Sequence, residues 1–402
     1  MQVTVTPDVV VLFAVLAQAV FAAALLGLAR YNQVPNRFLA LLLLAIALWV
    51  LDGFFRVANV YGQNADWYFL PIYYSFAFGP LLYFYVQSLV NHEFRWRAAY
   101  GWHFAPVLLQ AALYWGLRFQ SYSFRLWFWE QVHEPYTYRI EFIGTWLSLI
   151  VYLGLSLRRL RRYQRWLADN FSEISQLRLS WLRVLLLVLT VVSAQWLGEV
   201  VLREFFSIYY TYDYSTWLLG GVVLLIGVVG LRQADMQAVN FGPEEATLLE
   251  ADGAPGARAD AGSSAPRPAP RLAAEVGAAV VAPEPREPAA VDPAVLARLR
   301  RALEDDHLYL NPTLTLAELS AHTGLAPRLI SFTVNNGFGK PFNDVVNGYR
   351  VEAVKRRLAQ PAEVARLTLL GIAFECGFNS KTTFNRIFKQ LTGVAPSDYR
   401  PA

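Results

Sequence analysis

The chain has 402 residues, a formal net charge of +4 and one cysteine, and 55% of its residues are apolar while 16% are charged. Because soluble proteins carry about 25% charged residues, this composition argues against a chain that is soluble throughout. The single cysteine excludes an internal disulfide bond and a cluster of metal-binding thiolates. All twelve tryptophans lie at or before Trp217, and all four lysines lie at or after Lys340. The sequence is therefore predicted to join two chemically different parts, both all-α.

Residues 1–235 are predicted to form a seven-helix transmembrane bundle. A helix needs about 20 apolar residues to cross the ~30 Å hydrocarbon core of a bilayer, and seven stretches approach or exceed that length. They lie at residues 9–29, 38–55, 67–90, 99–117, 138–157, 181–202 and 215–231. The third stretch contains prolines, so we expect a kink there. The N-terminus lacks the basic region of a cleaved signal peptide, so we expect the first stretch to remain as a span.

The distribution of arginine predicts the orientation of these spans. With the N-terminus outside, the loops on the inner side carry eleven arginines and the loops on the outer side carry five. Cytoplasmic loops of membrane proteins are enriched in arginine and lysine. Since the number of spans is odd, the C-terminal part of the chain is then expected in the cytoplasm.

Polar side chains near the outer ends of the spans are candidates for binding a cationic or polyol ligand, because ionisable groups in a bilayer are costly and often functional. The candidates are Asp52, Glu141, Gln195 and Glu199. A structural explanation is also open, since Arg56 and Arg203 each follow a carboxylate by four residues and could form a salt bridge on the same helix. The absence of lysine before Lys340 excludes a retinal Schiff base. The five histidines show no metal-ligand spacing, and we expect neither a metal nor a cofactor.

Residues 236–290 are rich in alanine, proline, glycine and glutamate. Such a composition cannot bury a core and predicts a flexible linker. At about 5–6 Å × √n it would span on the order of 40 Å.

Residues 291–402 are predicted to form a helical domain with an internal repeat. Helices are expected at 292–308, 315–323, 327–337, 342–359, 368–376 and 380–391, with a last turn at 396–400. The segment Leu319-Ser-Ala-His-Thr-Gly-Leu matches Ile372-Ala-Phe-Glu-Cys-Gly-Phe, and each glycine suits a turn with positive φ. The pairs Ile330–Val334 and Phe384–Phe388 have the i, i+4 spacing of a buried helix face. This pattern indicates two helix-turn-helix units in tandem.

The region from Leu314 to Arg400 resembles the DNA-binding domain of the AraC/XylS family of bacterial transcription regulators. The resemblance is carried by Ile372-Ala-x-x-x-Gly-Phe and by Phe388-Lys-x-x-Thr-Gly-x-x-Pro-Ser-x-Tyr-Arg. It implies that one monomer places two recognition helices in successive major grooves, ~34 Å apart along the duplex. It also implies a bacterial chain, and together with the predicted spans this places the protein in the inner (cytoplasmic) membrane as a multi-pass protein.

The positions that the resemblance assigns to DNA contact are polar in both units. They are Arg328, Ser331 and Asn335 in the first unit, and Ser380, Lys381, Thr382, Asn385, Arg386 and Lys389 in the second. Arg386 could contact guanine, and Asn385 or Asn335 could contact adenine, while the two lysines are expected on phosphates. Phe332 departs from the pattern, because the family usually has a polar residue there. The competing interpretation is that these side chains are only the solvated face of surface helices.

The sequence therefore predicts a non-enzymatic, membrane-embedded transcription regulator. Its expected partners are promoter DNA, the lipid bilayer, RNA polymerase, a small ligand or membrane signal, and a second copy of the chain. A transporter or membrane enzyme with a fused regulatory DNA-binding domain is the main alternative, and a membrane anchor for one DNA locus is another.

Overall fold

The computed structural model describes residues 5–91, 93–174, 177, 179–206, 214–229 and 291–400. The chain divides into two compact units: Met1–Gln164 with Gln176–Gly242, and Arg165–Ser175 with Pro243–Ala402. The described residues form helices and one isolated β-bridge, so the all-α prediction is confirmed. The predicted linker at 236–290 lies outside the described residues. The predicted domain limits at residues 235 and 290 stay predictions.

Nine α-helices begin within the residues of the first unit that the structure describes. They are α1 (Pro7–Leu28), α2 (Gln33–Val57), α3 (Val60–Gln63), α4 (Phe78–Leu89), α5 (Ala105–Arg118), α6 (Tyr122–Phe128), α7 (Tyr138–Asn170), α8 (Ser180–Phe206) and α9 (Tyr214–Val229). A π-helical stretch, Trp129–Thr137, joins α6 to α7 without a break in the helical backbone. The last residues of α7, from Arg165 onward, belong to the second unit.

Four helical runs in the described part of the chain are long and apolar enough to cross a membrane: α1, α2, Tyr122–Asn170 and α8. They contain four of the seven predicted spans. The predicted span at 215–231 lies on the 16-residue helix α9, which has a shorter apolar core. The spans at 67–90 and 99–117 differ more, because α-helix covers only the 12 residues of α4 and the 14 residues of α5.

Proline explains the two short helices. Pro106 occupies the first turn of α5, and Pro80 lies near the start of α4. Proline fits the first turn of a helix because its missing N–H has no intrahelical partner there. The backbone before α4 and α5 contains 3-10 turns at Ala65–Phe69, Ser75–Ala77 and Ala98–Phe104. The sequence predicted a kinked helix over residues 67–90. The structure instead has a helix that begins at Phe78.

The first helix shows how the apolar residues of this unit are distributed. Leu12 and Leu26 are buried, and α1 packs against α2 and α9. Its other face is apolar too, with Phe13 59%, Phe21 63% and Leu28 81% exposed. Soluble monomers rarely expose contiguous apolar surface of this kind. The surface of α1 is therefore typical of a helix that faces lipid.

Seven α-helices lie in the second unit among the described residues 291–400. They are α10 (Pro293–Glu304), α11 (Leu316–Thr323), α12 (Pro327–Thr333), α13 (Phe342–Leu358), α14 (Pro361–Arg366), α15 (Leu369–Glu375) and α16 (Lys381–Thr392). All except α14 agree with predicted helices within about four residues, the variation expected at helix ends. Val334–Phe338 continues α12 as a π-helical turn. The core gathers Leu319, Val346, Ile372 and Phe384 from four of the helices.

A buried arginine ties this core together. Arg350 on α13 is 0% exposed, and its Nε donates to the carbonyl of Tyr309 at 2.9 Å. Its NH2 donates to the carbonyl of Asn311 at 2.7 Å, and its NH1 donates to Oδ1 of Asn347 at 3.2 Å. Burial lowers the pKa of Arg350 to about 10, and the nearby Glu173 acts in the opposite direction. A guanidinium group suits this position because it offers five donors in a fixed plane.

Candidate nucleic-acid interface

Helix α16 has one apolar face and one polar face. Phe384, Ile387 and Phe388 are buried, and the rings of Phe384 and Phe388 lie 5.5 Å apart in an edge-on arrangement. The predicted i, i+4 pairs Phe384–Phe388 and Ile330–Val334 are thus confirmed as buried. Anchoring by these aromatic rings fixes the rotation of α16 about its axis, so that the polar side chains point away from the core.

The polar face of α16 holds the predicted DNA contacts of the second helix-turn-helix unit. Five of these side chains are exposed: Lys381, Thr382, Asn385, Arg386 and Lys389. Four of the five are cationic or can bond a base through two atoms, as major-groove and phosphate contacts require: Lys381, Asn385, Arg386 and Lys389. NH1 of Arg386 donates to Oε1 of Gln390 at 3.5 Å, one turn further along the helix. Ser380 differs from the rest, because it is half-buried and its hydroxyl caps the helix by accepting from the N–H of Thr383 at 3.4 Å.

The turn before α16 is tightly packed. Gly377 has φ +90°, and a Cβ there would collide with the carbonyl oxygen of Tyr309 and come within 3.0 Å of Nε of Arg350. The ring of Phe378 then packs 5.3 Å from that of Phe384. The positive φ expected for this glycine, and for Gly324 with φ +65°, is confirmed. Close packing of this turn sets the angle between α15 and α16.

The first helix-turn-helix unit presents its polar side chains from α12 and the π-helical turn Val334–Phe338. Helix α11 begins with a capping box in which Thr315 and Glu318 satisfy each other's backbone N–H groups, and such a box fixes the start of a helix. Arg328 and Asn335 are exposed, and Ser331 is half-buried. Phe332 is 36% exposed on the same surface. The first helix-turn-helix unit thus offers a mixed polar and aromatic surface, whereas the exposed surface of α16 is basic.

A chain segment that no sequence pattern predicted packs within the second unit. The N–H of Ser172 donates to the carbonyl of Leu314 at 3.0 Å, and Phe171 pairs with Thr315 in the isolated antiparallel bridge. The carbonyl of Ser172 accepts from Nδ2 of Asn343 at 2.6 Å and from Nδ2 of Asn347 at 3.3 Å. No local pattern in the sequence could have indicated these contacts, because the paired residues are more than 140 positions apart.

In the first unit, Asp52 and Glu141 belong to neighbouring polar clusters. Asp52 is buried and accepts hydrogen bonds from Arg56 at 2.5 Å, from Tyr61 at 2.6 Å and from Tyr73 at 2.7 Å. Glu141 accepts from the hydroxyl of Tyr114 at 2.9 Å. The rings of Tyr73 and Tyr114 stack with centroids 4.6 Å apart, which brings the two clusters together.

The same contacts bear on the salt-bridge interpretation. The pairing of Asp52 with Arg56 matches it. The second proposed pair differs: Arg203 pairs with Glu204 at 3.5 Å and lies over the ring of Tyr138, while Glu199 accepts from Nε2 of Gln195 at 2.6 Å. The structure joins Gln195 to Glu199 as the sequence suggested, and a ligand-binding role for all four candidates stays a prediction. Among the described residues, no three His, Cys, Asp or Glu side chains cluster as a metal site would require.

Comparison with known proteins finds matches to the C-terminal part of the chain. Residues 319–402 match a family model described as a helix-turn-helix domain. An uncharacterized HTH-type transcriptional regulator of Staphylococcus aureus strain COL is 32% identical over 93 residues, which are 23% of this chain and 12% of that protein. The HTH-type transcriptional regulator Rv1931c of Mycobacterium tuberculosis is 29% identical over 87 residues, 22% of this chain and 32% of that protein.

A further relative is the putative HTH-type transcriptional regulator YkgA of Escherichia coli strain K12, 30% identical over 105 residues, which are 25% of this chain and 41% of that protein. The matched region thus spans less than half the length of each of these relatives. No solved structure gives a significant match to the chain. The family match and the relatives' names support a DNA-binding helix-turn-helix domain and a role in transcription regulation, and they suggest a protein that is not an enzyme.

Proposed function

We propose that this chain is a membrane-embedded transcription regulator whose C-terminal domain binds double-stranded promoter DNA. The observation that carries the proposal is the division of α16 into a face held by Phe384, Ile387 and Phe388 and an exposed face with Lys381, Asn385 and Arg386. A recognition helix needs both faces, because it must be fixed to its domain while its side chains reach base edges. The helix-turn-helix match over residues 319–402 supports the same function.

The proposed contacts differ in what they read. Arg386 is assigned to a guanine edge and Asn385 to an adenine edge, since these side chains form bidentate hydrogen bonds with those bases. Lys381 and Lys389 are assigned to phosphates, which position the helix without selecting a sequence. In the first helix-turn-helix unit, Arg328, Ser331 and Asn335 are assigned to the adjacent major groove. Ser380 and Thr382 complete the set at the start of α16.

The membrane part is proposed to cross the inner membrane of a bacterium seven times, with the N-terminus outside and the DNA-binding domain in the cytoplasm. Support comes from the four helical runs of sufficient length and apolarity and from the exposed apolar face of α1. The spans assigned to α4, α5 and α9 would complete the count. Asp52, Glu141, Gln195 and Glu199 are proposed to take part in recognising an envelope or membrane signal. RNA polymerase and a second copy of the chain are proposed as further partners.

The DNA proposal is tested by mapping the sites that the tagged full-length protein occupies in its host genome. Binding of recovered fragments is then measured by fluorescence anisotropy with the full chain in lipid nanodiscs at several salt concentrations. Arg386→Ala is expected to weaken binding by about 1–3 kcal/mol and to relax the preference at one base pair. The matched control is Arg366→Ala on α14, which removes the same charge from an exposed side chain that pairs with Glu363 at 3.1 Å. Equal affinity and specificity for the two variants would contradict the assigned role.

The orientation is tested by labelling single cysteines with a maleimide that cannot cross membranes. The chain suits this experiment, because its one native cysteine, Cys376, is buried. Asn64→Cys and Gln120→Cys are expected to react in intact cells, whereas Arg30→Cys is expected to react only after the cells are opened. Reaction of Arg30→Cys from outside would overturn the proposed orientation.

A further inference from the structure

The segment from Asp169 to Glu173 is bound by the C-terminal domain as a short peptide would be. Ser172 is 1% exposed, and both its N–H and its carbonyl are satisfied by the domain, at Leu314, Asn343 and Asn347. Its hydroxyl accepts from NH2 of Arg350 at 3.1 Å. All these residues belong to the second unit. Buried backbone groups rarely lack partners, and here one serine uses four side-chain or backbone groups contributed by the domain.

Two carboxylates flank Ser172, and each contacts one of the two helix-turn-helix units. The side chain of Asn335, in the first helix-turn-helix unit, lies close enough to the Asp169 carboxyl to favour its charged form and lower its pKa, against the larger effect of burial, which raises it. Oε1 of Glu173 accepts from the hydroxyl of Thr383 at 3.4 Å, within the first turn of α16. Thus a five-residue segment connects the two elements that are proposed to enter successive major grooves.

The positions of these carboxylates conflict with bound DNA. Asn335 is itself an assigned base contact, and Thr383 follows Lys381 and Thr382 by one or two residues. A carboxylate beside Asn335, and a second one 3.4 Å from the hydroxyl of the buried Thr383, would repel a phosphate backbone that lies against this surface. Like charges oppose each other at short distance, and less strongly where water screens them.

We propose that the segment Asp169–Glu173 is a built-in competitor of DNA, held in a peptide-binding site formed by Asn343, Asn347 and Arg350. The proposal rests on the function proposed above. While the segment is docked, the domain is closed to DNA; when it leaves, Asn335 and the start of α16 become free to bind. Because the segment follows α7 and precedes α8 in the chain, a signal that moves either helix would change how well the segment docks.

The first test removes the two flanking charges. Asp169→Asn with Glu173→Gln, measured in the full chain in nanodiscs, is expected to raise DNA affinity about tenfold if about nine-tenths of the molecules are docked. The matched control is Asp305→Asn with Glu352→Gln, which removes two charges elsewhere in the same unit. An increase specific to the first pair supports the competitor. Unchanged or weaker binding overturns it and indicates that the segment is only part of the domain's scaffold.

The second test locks the segment in place. Residues paired in an antiparallel bridge have Cα atoms about 4.5–5.5 Å apart, which suits a disulfide bond, so Phe171→Cys is combined with Thr315→Cys. The oxidised full-length protein is expected to bind DNA at least tenfold more weakly than the same protein after reduction, and this comparison controls for folding. Equal binding before and after reduction overturns the proposal. Absence of salt-dependent DNA binding by the wild type and every variant would instead overturn the proposed function.

Discussion

Replacing Gly377 with alanine tests whether the turn between α15 and α16 lies as close to Tyr309 and Arg350 as described. The new Cβ would meet the carbonyl oxygen of Tyr309, Nε of Arg350 at 3.0 Å and Cα of Leu310 at 3.0 Å. Two of these atoms are backbone and cannot turn aside as a flexible side chain would. A positive φ costs an L-residue about 1–2 kcal/mol, and overpacking costs about 1–3 kcal/mol more. The variant is expected to lose about 2–5 kcal/mol of stability.

The matched control is Gly339→Ala. Gly339 has φ +67°, but its Cβ would meet no atom within 4 Å. This variant carries the conformational cost alone, about 1–2 kcal/mol, which changes the unfolding equilibrium about 5- to 30-fold. The difference between the two variants therefore isolates the steric contribution of the contact with Tyr309.

The assay uses Cys376, which is buried at 0% exposure next to Gly377. Burial raises the pKa of its thiol to about 11, so the reactive thiolate is scarce near pH 8 and alkylation reports opening of the domain. The alkylation rate of the full-length protein is divided by the rate for the denatured chain, which removes any effect of the substitution on intrinsic reactivity. Gly377→Ala should react about 5- to 150-fold faster than Gly339→Ala, which corresponds to the steric cost of about 1–3 kcal/mol. Equal rates would refute the close approach.

Three further predictions concern other parts of the chain. Ser380→Ala should lower the stability of the domain by about 1 kcal/mol through loss of the helix cap, whereas Ser380→Asp should keep the cap but weaken DNA binding; undiminished binding by the aspartate variant would argue against DNA lying at this end of α16. Phe384→Ala should lower the stability of the domain by about 3–5 kcal/mol, and Asn385→Ala by about 0.5 kcal/mol or less. Both are measured by the same thiol assay, and comparable losses of stability would contradict the division of α16 into a buried and an exposed face. Asp52→Ala should lower the free energy of unfolding of the detergent-solubilised protein by about 1–3 kcal/mol, because two tyrosine hydroxyls lose their acceptor. The control is Glu130→Ala, which changes an exposed carboxylate. An equal loss in both variants would show that the Asp52 cluster is not stabilising.

The second unit was largely predictable because its signals are local. Thr315, Gly324 and Pro327 mark helix ends by their own backbone and capping preferences, and the helices begin and end close to them. The spacing of Phe384 and Phe388 likewise defines a buried face without information from elsewhere. Helix α14 was missed, since its six residues contain no buried position that a periodic pattern could reveal.

The first unit was predicted less accurately because hydropathy measures composition rather than backbone geometry. Residues 67–90 are apolar enough for a span, yet Pro71 and Pro80 leave α-helix only from Phe78 to Leu89. The contacts of Ser172 with Asn343 and Arg350 join positions 171 and 178 residues apart. Contacts at such separation depend on the complete fold, and a single sequence carries no local signal for them.

The bonds of Arg350 have a consequence for the order in which the protein is made. Its acceptors at Tyr309 and Asn311 precede it by 41 and 39 residues, and Ser172 precedes it by 178. During synthesis, which proceeds from the N-terminus, the ribosome releases every acceptor before this guanidinium emerges. These acceptors therefore stay hydrated until Arg350 is synthesised, and the core of the C-terminal domain can form only after the whole first unit has left the ribosome.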